Sequence, residues 1–352
     1  MHCKDQRCQS NIVVQVIIYH LNQIGDFCFS LPLVAAIKQR YPQARICSVV
    51  RPHLVPLAQR TEPVDAIAVR PWTLSIAYLP LLRQLRAWHA DLAIVLPTSP
   101  GPSLLARLCG AKRIVAFDHD WPRRFVSERI PCDQPPSLSN NLRMAEYVAD
   151  EVPRRDYVGL LSATEQDKID AGKILAHHGV HDDQPFAVFA ALASSHRLWK
   201  CWPLQRFAAL ATILWEEAGL YPVFVGSSEE TENVEALTSQ MSIPTANLTS
   251  RTDTGQLLGV LARASLFIGQ DSGPTHLSAA LGCPTVAIFG PTDPRLTGPL
   301  GESSAVVYKN LPCSPCHNRA AGCPDRECLL SITPEEVAAQ ALGVLMQTAS
   351  AE

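Results

Sequence analysis

The sequence predicts an α/β protein in which two doubly wound parallel sheets each carry their own helices. Three observations lead there. Short apolar, β-branched runs alternate with segments whose apolar residues recur at helical spacing, the pattern of βαβ units. The runs are almost continuously apolar, as strands covered by helices on both faces must be. The 352 residues are long for one domain and suit two.

Asn11 to Tyr19 (NIVVQVIIY) is the first such run. A polar loop, His20 to Asp26, leads into a helix from Phe27 to Arg40, where Leu31, Val34, Ala35 and Ile37 form one face and Tyr41-Pro42 ends it. Asp26 stands at the head of this helix, where an acidic side chain can serve as N-cap. The alternation continues with strand 44–50, a helix around 53–60, strand 65–69, helix 76–89, strand 91–96, a short helix ending near Cys109-Gly110, and strand 113–117. The loop holding His119, Trp121, Arg123 and Arg124 can meet an anion or simply face solvent. Helices over 140–150 and 163–178 precede Asp182-Asp183-Gln184-Pro185, and the boundary is drawn there, giving domains 1–180 and 181–352.

The second domain begins with strand 186–191 and the loop to Cys201; a helix runs from Pro203 to Gly219, and strand 221–225 ends in Gly226-Ser227-Ser228-Glu229-Glu230. Acids in a first helical turn are stabilising in their own right. After a helix at 254–263 comes SLFIGQDSGPTHLSAALGCPTVAIFGPTDP, Ser265 to Pro294. Strand 265–269 runs into a helix starting near Pro274, with Asp271 or Ser272 able to cap it. Such a helix head offers unpaired N–H groups and a partial positive charge to a phosphate. Strand 285–289 ends in a second polar turn, and ligands of open α/β sheets bind at those carboxyl ends. Singly, each turn is also what any α/β domain needs. Thr333 to Met346 closes the chain as a helix.

Composition narrows the function. A net charge of −3 at pH 7 argues against a nucleic-acid partner. Hydrophobic residues make up 47%, enough for large cores, yet no run approaches a membrane span. With no secretory signal in MHCKDQRCQS, the expected location is the cytosol. Cys28, Cys47, Cys109, Cys201 and Cys283 sit in apolar segments, which predicts buried thiols in a reducing compartment. Cys313-x-x-Cys316, Cys323 and Cys328 have the composition of a metal site. The four-residue gap of the later pair and the surrounding prolines favour a reduced, partly buried loop instead.

Asp271 to Pro294 resembles the C-terminal signature of glycosyltransferase family 9, the heptosyltransferases of lipopolysaccharide core synthesis. Ile24-Gly25-Asp26, followed by S-L-P-L and A-I-K-x-R-Y-P-x-A-x-I, resembles the family's N-terminal motif, and Lys200-Cys201-Trp202-Pro203 its K-x-W-P element. The resemblance implies a GT-B architecture, two Rossmann-like domains facing a cleft with the acceptor on the first and the nucleotide sugar on the second. It implies inverting, metal-independent transfer of heptose from ADP-heptose to a hydroxyl of an anionic, lipid-linked saccharide, with no cofactor; an acceptor that is a lipid leaves room for a peripheral contact at the inner membrane. Asp26 is then the catalytic base. Lys200, His276 and the amides around Asp271, Ser272, Gly273 and Thr275 hold the diphosphate, and Glu229 or Glu230 meets the ribose. His20, Gln23, Arg123 and Arg124 face the acceptor. Family members carry Arg or Lys where this chain has His20, and a histidine stays mostly neutral near pH 7 unless an anion raises its pKa. Two other readings remain: a family member using another nucleotide sugar or a protein acceptor, and a non-catalytic nucleotide-sugar-binding protein.

Overall fold

The computed structural model describes residues 14–73, 75–118, 125–133, 138–152, 154–192, 199–316, 323 and 325–350. Its chain divides into two compact units after Leu160.

The first unit holds six strands, β1 (Gln15–Tyr19), β2 (Arg45–Val50), β3 (Ala66–Val69), β4 (Leu92–Val95), β5 (Arg113–Phe117) and β6 (Glu128–Ile130). They pair in parallel in the order β3-β2-β1-β4-β5-β6. Its helices are α1 (Ile24–Arg40), α2 (Val55–Ala58), α3 (Tyr78–Ala87), α4 (Pro100–Leu108) and α5 (Leu138–Ala149). Successive side chains of a strand point to opposite faces. Val16 and Ile18 of β1 therefore join one core with Leu33 and Ile37 of α1, while Ile17 and Tyr19 join another with Leu81 and Leu85 of α3. Both faces are buried, which is why the strands read as continuous apolar runs.

The second unit contains α6 (Glu165–His177), β7 (Phe186–Phe189), α7 (Leu204–Ala218), β8 (Tyr221–Phe224), α8 (Thr231–Thr238), β9 (Ala246–Asn247), α9 (Thr254–Arg263), β10 (Leu266–Gln270), α10 (Gly273–Ala280), β11 (Thr285–Phe289), α11 (Pro294–Thr297), β12 (Ser304–Tyr308), α12 (Glu327–Leu330) and α13 (Pro334–Ala349). The sheet order β12-β11-β10-β7-β8-β9 repeats the winding of the first unit. Each unit thus has a point where the strand order reverses, between β1 and β4 and between β7 and β10, and there the loops above the carboxyl ends diverge to leave room for a ligand.

The two-sheet α/β expectation holds. The division falls at Leu160 and not near residue 180, because α6 packs on α9 and so belongs with the second sheet. The sequence reading had no counterpart for β6, β9 and β12: each lies at an end of its sheet, where a strand can be short or only half-buried and leaves a weak apolar signal. Cys28, Cys47, Cys109, Cys201 and Cys283 are buried as expected. No helix among the described residues is long and apolar enough to cross a membrane.

Candidate active site

In the second unit the reversal point is occupied by the loops after β7 and β10. Gln270, fully buried at the end of β10, joins them: its Nε2 donates to the carbonyl of Ala191 at 2.7 Å, and its Oε1 accepts from the backbone N–H of Trp202. That splint delivers Lys200 to the head of α10. Its ammonium, 7% exposed, lies 3.2 Å from Asp271 Oδ2 and donates to the Asp271 carbonyl as well. Asp271 is thus a partner for Lys200 within the protein itself.

Ser272 occupies the N-cap position of α10, but its hydroxyl makes no capping bond. The expected cap is absent, and the first-turn amides keep their donors for something else. The Ser272 hydroxyl and that of Thr292, on the loop after β11, are both buried with no hydrogen-bond partner. Buried hydroxyls without partners are uncommon and point to a polar ligand. Thr275 is different: its hydroxyl donates to the Gln270 carbonyl and is fully buried, so only its amide is available at the helix head. Burial pushes the His276 imidazole down to about 4, with Lys200 adding to the effect and Asp271 opposing it. It is a neutral hydrogen-bonding group near pH 7, not a second cation. Gly273 is the first residue of α10.

Glu229 and Glu230 separate cleanly. Glu230 is buried and folded back in a capping box, its carboxylate accepting from the Ser227 N–H at 3.3 Å, and burial raises its pKa. Glu229 is exposed.

In the first unit Asp26 lies in the first turn of α1, half-buried, while exposed Gln23 occupies the N-cap position without a side-chain bond. The helix begins one turn earlier than its apolar periodicity suggests, so Asp26 is not its cap. His20 requires correction as an acceptor contact. It is 1% exposed, Nδ1 lies 2.7 Å from Ser30 Oγ and Nε2 3.0 Å from Ser48 Oγ, and burial lowers its pKa to about 3. The ring is spent joining α1, whose first turn carries Asp26, to β2. Arg123 and Arg124 lie outside the described residues, as do His119 and Trp121.

At the loop that precedes α1 the structure adds a group that the sequence reading missed. Arg51 follows β2 and Arg70 follows β3, and both turn to Asn22: Arg70 donates to Asn22 Oδ1 at 2.8 Å and Arg51 at 3.3 Å. His53 Nε2 holds the Asn22 carbonyl at 2.8 Å. Arg70 is 5% exposed, its Nε has no partner, and among the described residues no carboxylate pairs with either guanidinium. Burial and then Arg51 lower the pKa of Arg70. Arg51 also donates to the carbonyls of Arg70 and Pro71, and two clustered cations without a carboxylate partner are suited to an anionic ligand. The signal was present as two Val-Arg-Pro triplets, each at the end of a strand.

The remaining cysteines, Cys313, Cys316, Cys323 and Cys328, gather near β11: Cys316 N–H donates to the Pro291 carbonyl, and the Cys328 thiol is pushed up to about 11 by burial and then by Cys316, Cys313 and Cys323. Among the described residues no three His, Cys, Asp or Glu side chains are disposed to hold a metal ion.

Residues 78–324 match the family model "Glycosyltransferase family 9 (heptosyltransferase)". That span includes Lys200 and the Asp271 loop; Asp26 precedes it. The lipopolysaccharide core heptosyltransferase OpsX of Haemophilus influenzae is 25% identical over 299 residues, 82% of this chain and 83% of the relative. Among solved structures, a family 9 glycosyl transferase from Veillonella parvula superposes with a TM-score of 0.83 at 23% identity, covering 94% of this chain and 97% of the other. The ADP-heptose lps heptosyltransferase II of E. coli gives 0.77 at 22%, covering 95% and 99%.

Proposed function

The chain belongs to glycosyltransferase family 9 and is a glycosyltransferase, and we propose that it moves heptose from ADP-heptose to a hydroxyl of an anionic, lipid-linked saccharide of the lipopolysaccharide core. The observation that carries the donor half is the head of α10. There uncapped amides, the unpartnered Ser272 hydroxyl and the buried Lys200 ammonium share the loops after β7 and β10, and a second unpartnered hydroxyl, that of Thr292, stands on the loop after the neighbouring strand β11. A diphosphate matches that set: it accepts from the amides and hydroxyls, and its charge answers the ammonium. Exposed Glu229 is the acid that faces outward to meet a ribose hydroxyl, since Glu230 is buried in its capping box.

The reaction is a single displacement with inversion. Asp26 takes the proton of the acceptor hydroxyl as its oxygen bonds to the anomeric carbon, and the bond from that carbon to the phosphate oxygen breaks with ADP keeping the electron pair. General-base help of this kind is worth ~10²–10⁴ in rate. Lys200 and the α10 amides stabilise the charge that develops on the departing diphosphate, which is the task a metal ion performs elsewhere. Arg51 and Arg70 give an acidic sugar or phosphate of the acceptor its counter-charge, with Gln23 exposed at the same loop.

The test is ADP release from ADP-heptose by the purified protein with core acceptors, in EDTA, beside Asp26→Asn. Release that requires acceptor, survives EDTA and falls ~10²-fold or more in the variant is expected. If ADP-heptose neither turns over nor raises the melting temperature, the donor assignment fails.

A further inference from the structure

The first unit exposes large apolar side chains unevenly. Of the ten that are exposed among the described residues, six (Val69, Trp72, Ile76, Leu79, Leu104 and Leu108) fall between residues 69 and 108. Scattered apolar residues are ordinary on a surface; a cluster is not. Ile76 is 82% exposed, and it precedes α3, whose Leu81 and Leu85 are buried while Leu79, Arg83 and Arg86 point outward at helical spacing. On α4, Leu104, Arg107 and Leu108 form the exposed side. The two helices meet where Arg86 Nε donates to the Leu108 carbonyl at 2.9 Å, so their outer faces are continuous.

Charge identifies the occupant. The whole chain is net negative, yet the charged side chains of α3 and α4 are three exposed arginines, Arg83, Arg86 and Arg107, with no acid in either helix, while Lys112 and Arg113 beyond them are paired with Asp91 and Glu128. Apolar side chains fringed by arginines fit an anionic bilayer surface, where the apolar groups enter the acyl boundary and each basic group meets a headgroup. Trp72 ties this face to the acceptor end of the sheet: its ring stacks on His53 at 5.4 Å and lies under the Arg51 guanidinium at 4.6 Å.

We propose that the outer face of α3 and α4, with the preceding segment at Trp72 and Ile76, is a docking surface for an anionic lipid bilayer. It rests on the lipid-linked acceptor read above, and it sets the Arg51–Arg70 pair beside the headgroup layer, where a lipid-borne saccharide emerges.

The test is co-sedimentation of the purified full chain with vesicles of phosphatidylethanolamine and phosphatidylglycerol, against phosphatidylcholine vesicles. Wild type is compared with Ile76→Asp/Leu79→Asp and, separately, Arg83→Glu/Arg107→Glu. Binding to the anionic vesicles only, weakened about tenfold or more in each variant with an unchanged melting temperature, is expected. Transfer to a soluble, deacylated acceptor stays at the wild-type level in both variants. No binding by wild type, or binding that both variants retain, overturns the proposal; so does a change of oligomeric state in Ile76→Asp/Leu79→Asp without vesicle binding, which would make the face a protein interface. Vesicle binding without any sugar transfer would leave the docking surface standing and remove the proposed function instead.

Discussion

Lys200 and Asp271, 71 residues apart in sequence, form a buried ion pair at the head of α10, with Nζ 3.2 Å from Oδ2. The pair stands where the proposed diphosphate would bind, so its lysine has a structural and a functional duty that can be separated. Lys200→Met strands a largely buried carboxylate and should cost about 1–3 kcal/mol of stability. Adding Asp271→Asn should return most of that stability without returning activity. Chemical denaturation beside ADP-release kinetics checks both; a double variant no more stable than the single one would mean that the pair is not the source of the loss.

Arg51→Gln removes half of the uncompensated cation pair and leaves buried Arg70 on Asn22. The KM for an anionic acceptor should rise about tenfold or more, the value of a charge-assisted hydrogen bond, while that for ADP-heptose stays put. Equal effects on both substrates would remove these arginines from acceptor recognition.

Stability should fall in acid through two buried histidines. The folded pKa of His20 is about 3 and that of His276 about 4, against 6.5 when unfolded. Below pH 6.5 the unfolded chain binds protons that the folded chain refuses, so stability rises with pH across this window and is lost on going down through it. Each histidine contributes a slope of up to about 1.4 kcal/mol per pH unit until its folded pKa is reached. His20→Gln should flatten the dependence by about one proton, measured as the denaturation free energy between pH 6.5 and 4.

Two glycines should respond in opposite directions. A Cβ at Gly259 of α9 would collide with the Asp167 carbonyl of α6 and lie 2.8 Å from the Ala171 side chain, so Gly259→Ala should destabilise the second unit by about 1–3 kcal/mol. At Gly343, inside α13, a Cβ meets nothing within 4 Å. Gly343→Ala should stabilise by about 0.5–1 kcal/mol, because alanine gives up less backbone freedom on entering a helix. Melting curves of the two variants check the contrast, and a stable Gly259→Ala would contradict the close seating of α6 on α9.

Local chemistry was readable in the chain alone. Continuous apolar runs named β1, β5, β7 and β11 because strands buried on both faces need them, and Gly219 ended α7 in a left-handed conformation that costs glycine nothing. The ordered motifs around Asp26, Lys200 and Asp271 were legible for the same reason: each is a strand-end loop followed by a helix head, a unit complete within some fifteen residues as a rough span.

What the tertiary structure decided was every property set by neighbours distant in sequence. Strand order, which puts Lys200 and Asp271 at one reversal point, depends on pairing across β7 and β10. His20 is a buried brace because Ser30 and Ser48 close on its two nitrogens, and Glu230 is a cap while Glu229 faces outward because the 3₁₀ turn at residues 228–230 faces them differently. Arg51 and Arg70 stand 19 residues apart in the chain, and only the pairing of β2 with β3 brings both to Asn22. Burial, pKa and counter-charge are sums over spatial neighbours, and a linear pattern holds only the neighbours along the chain.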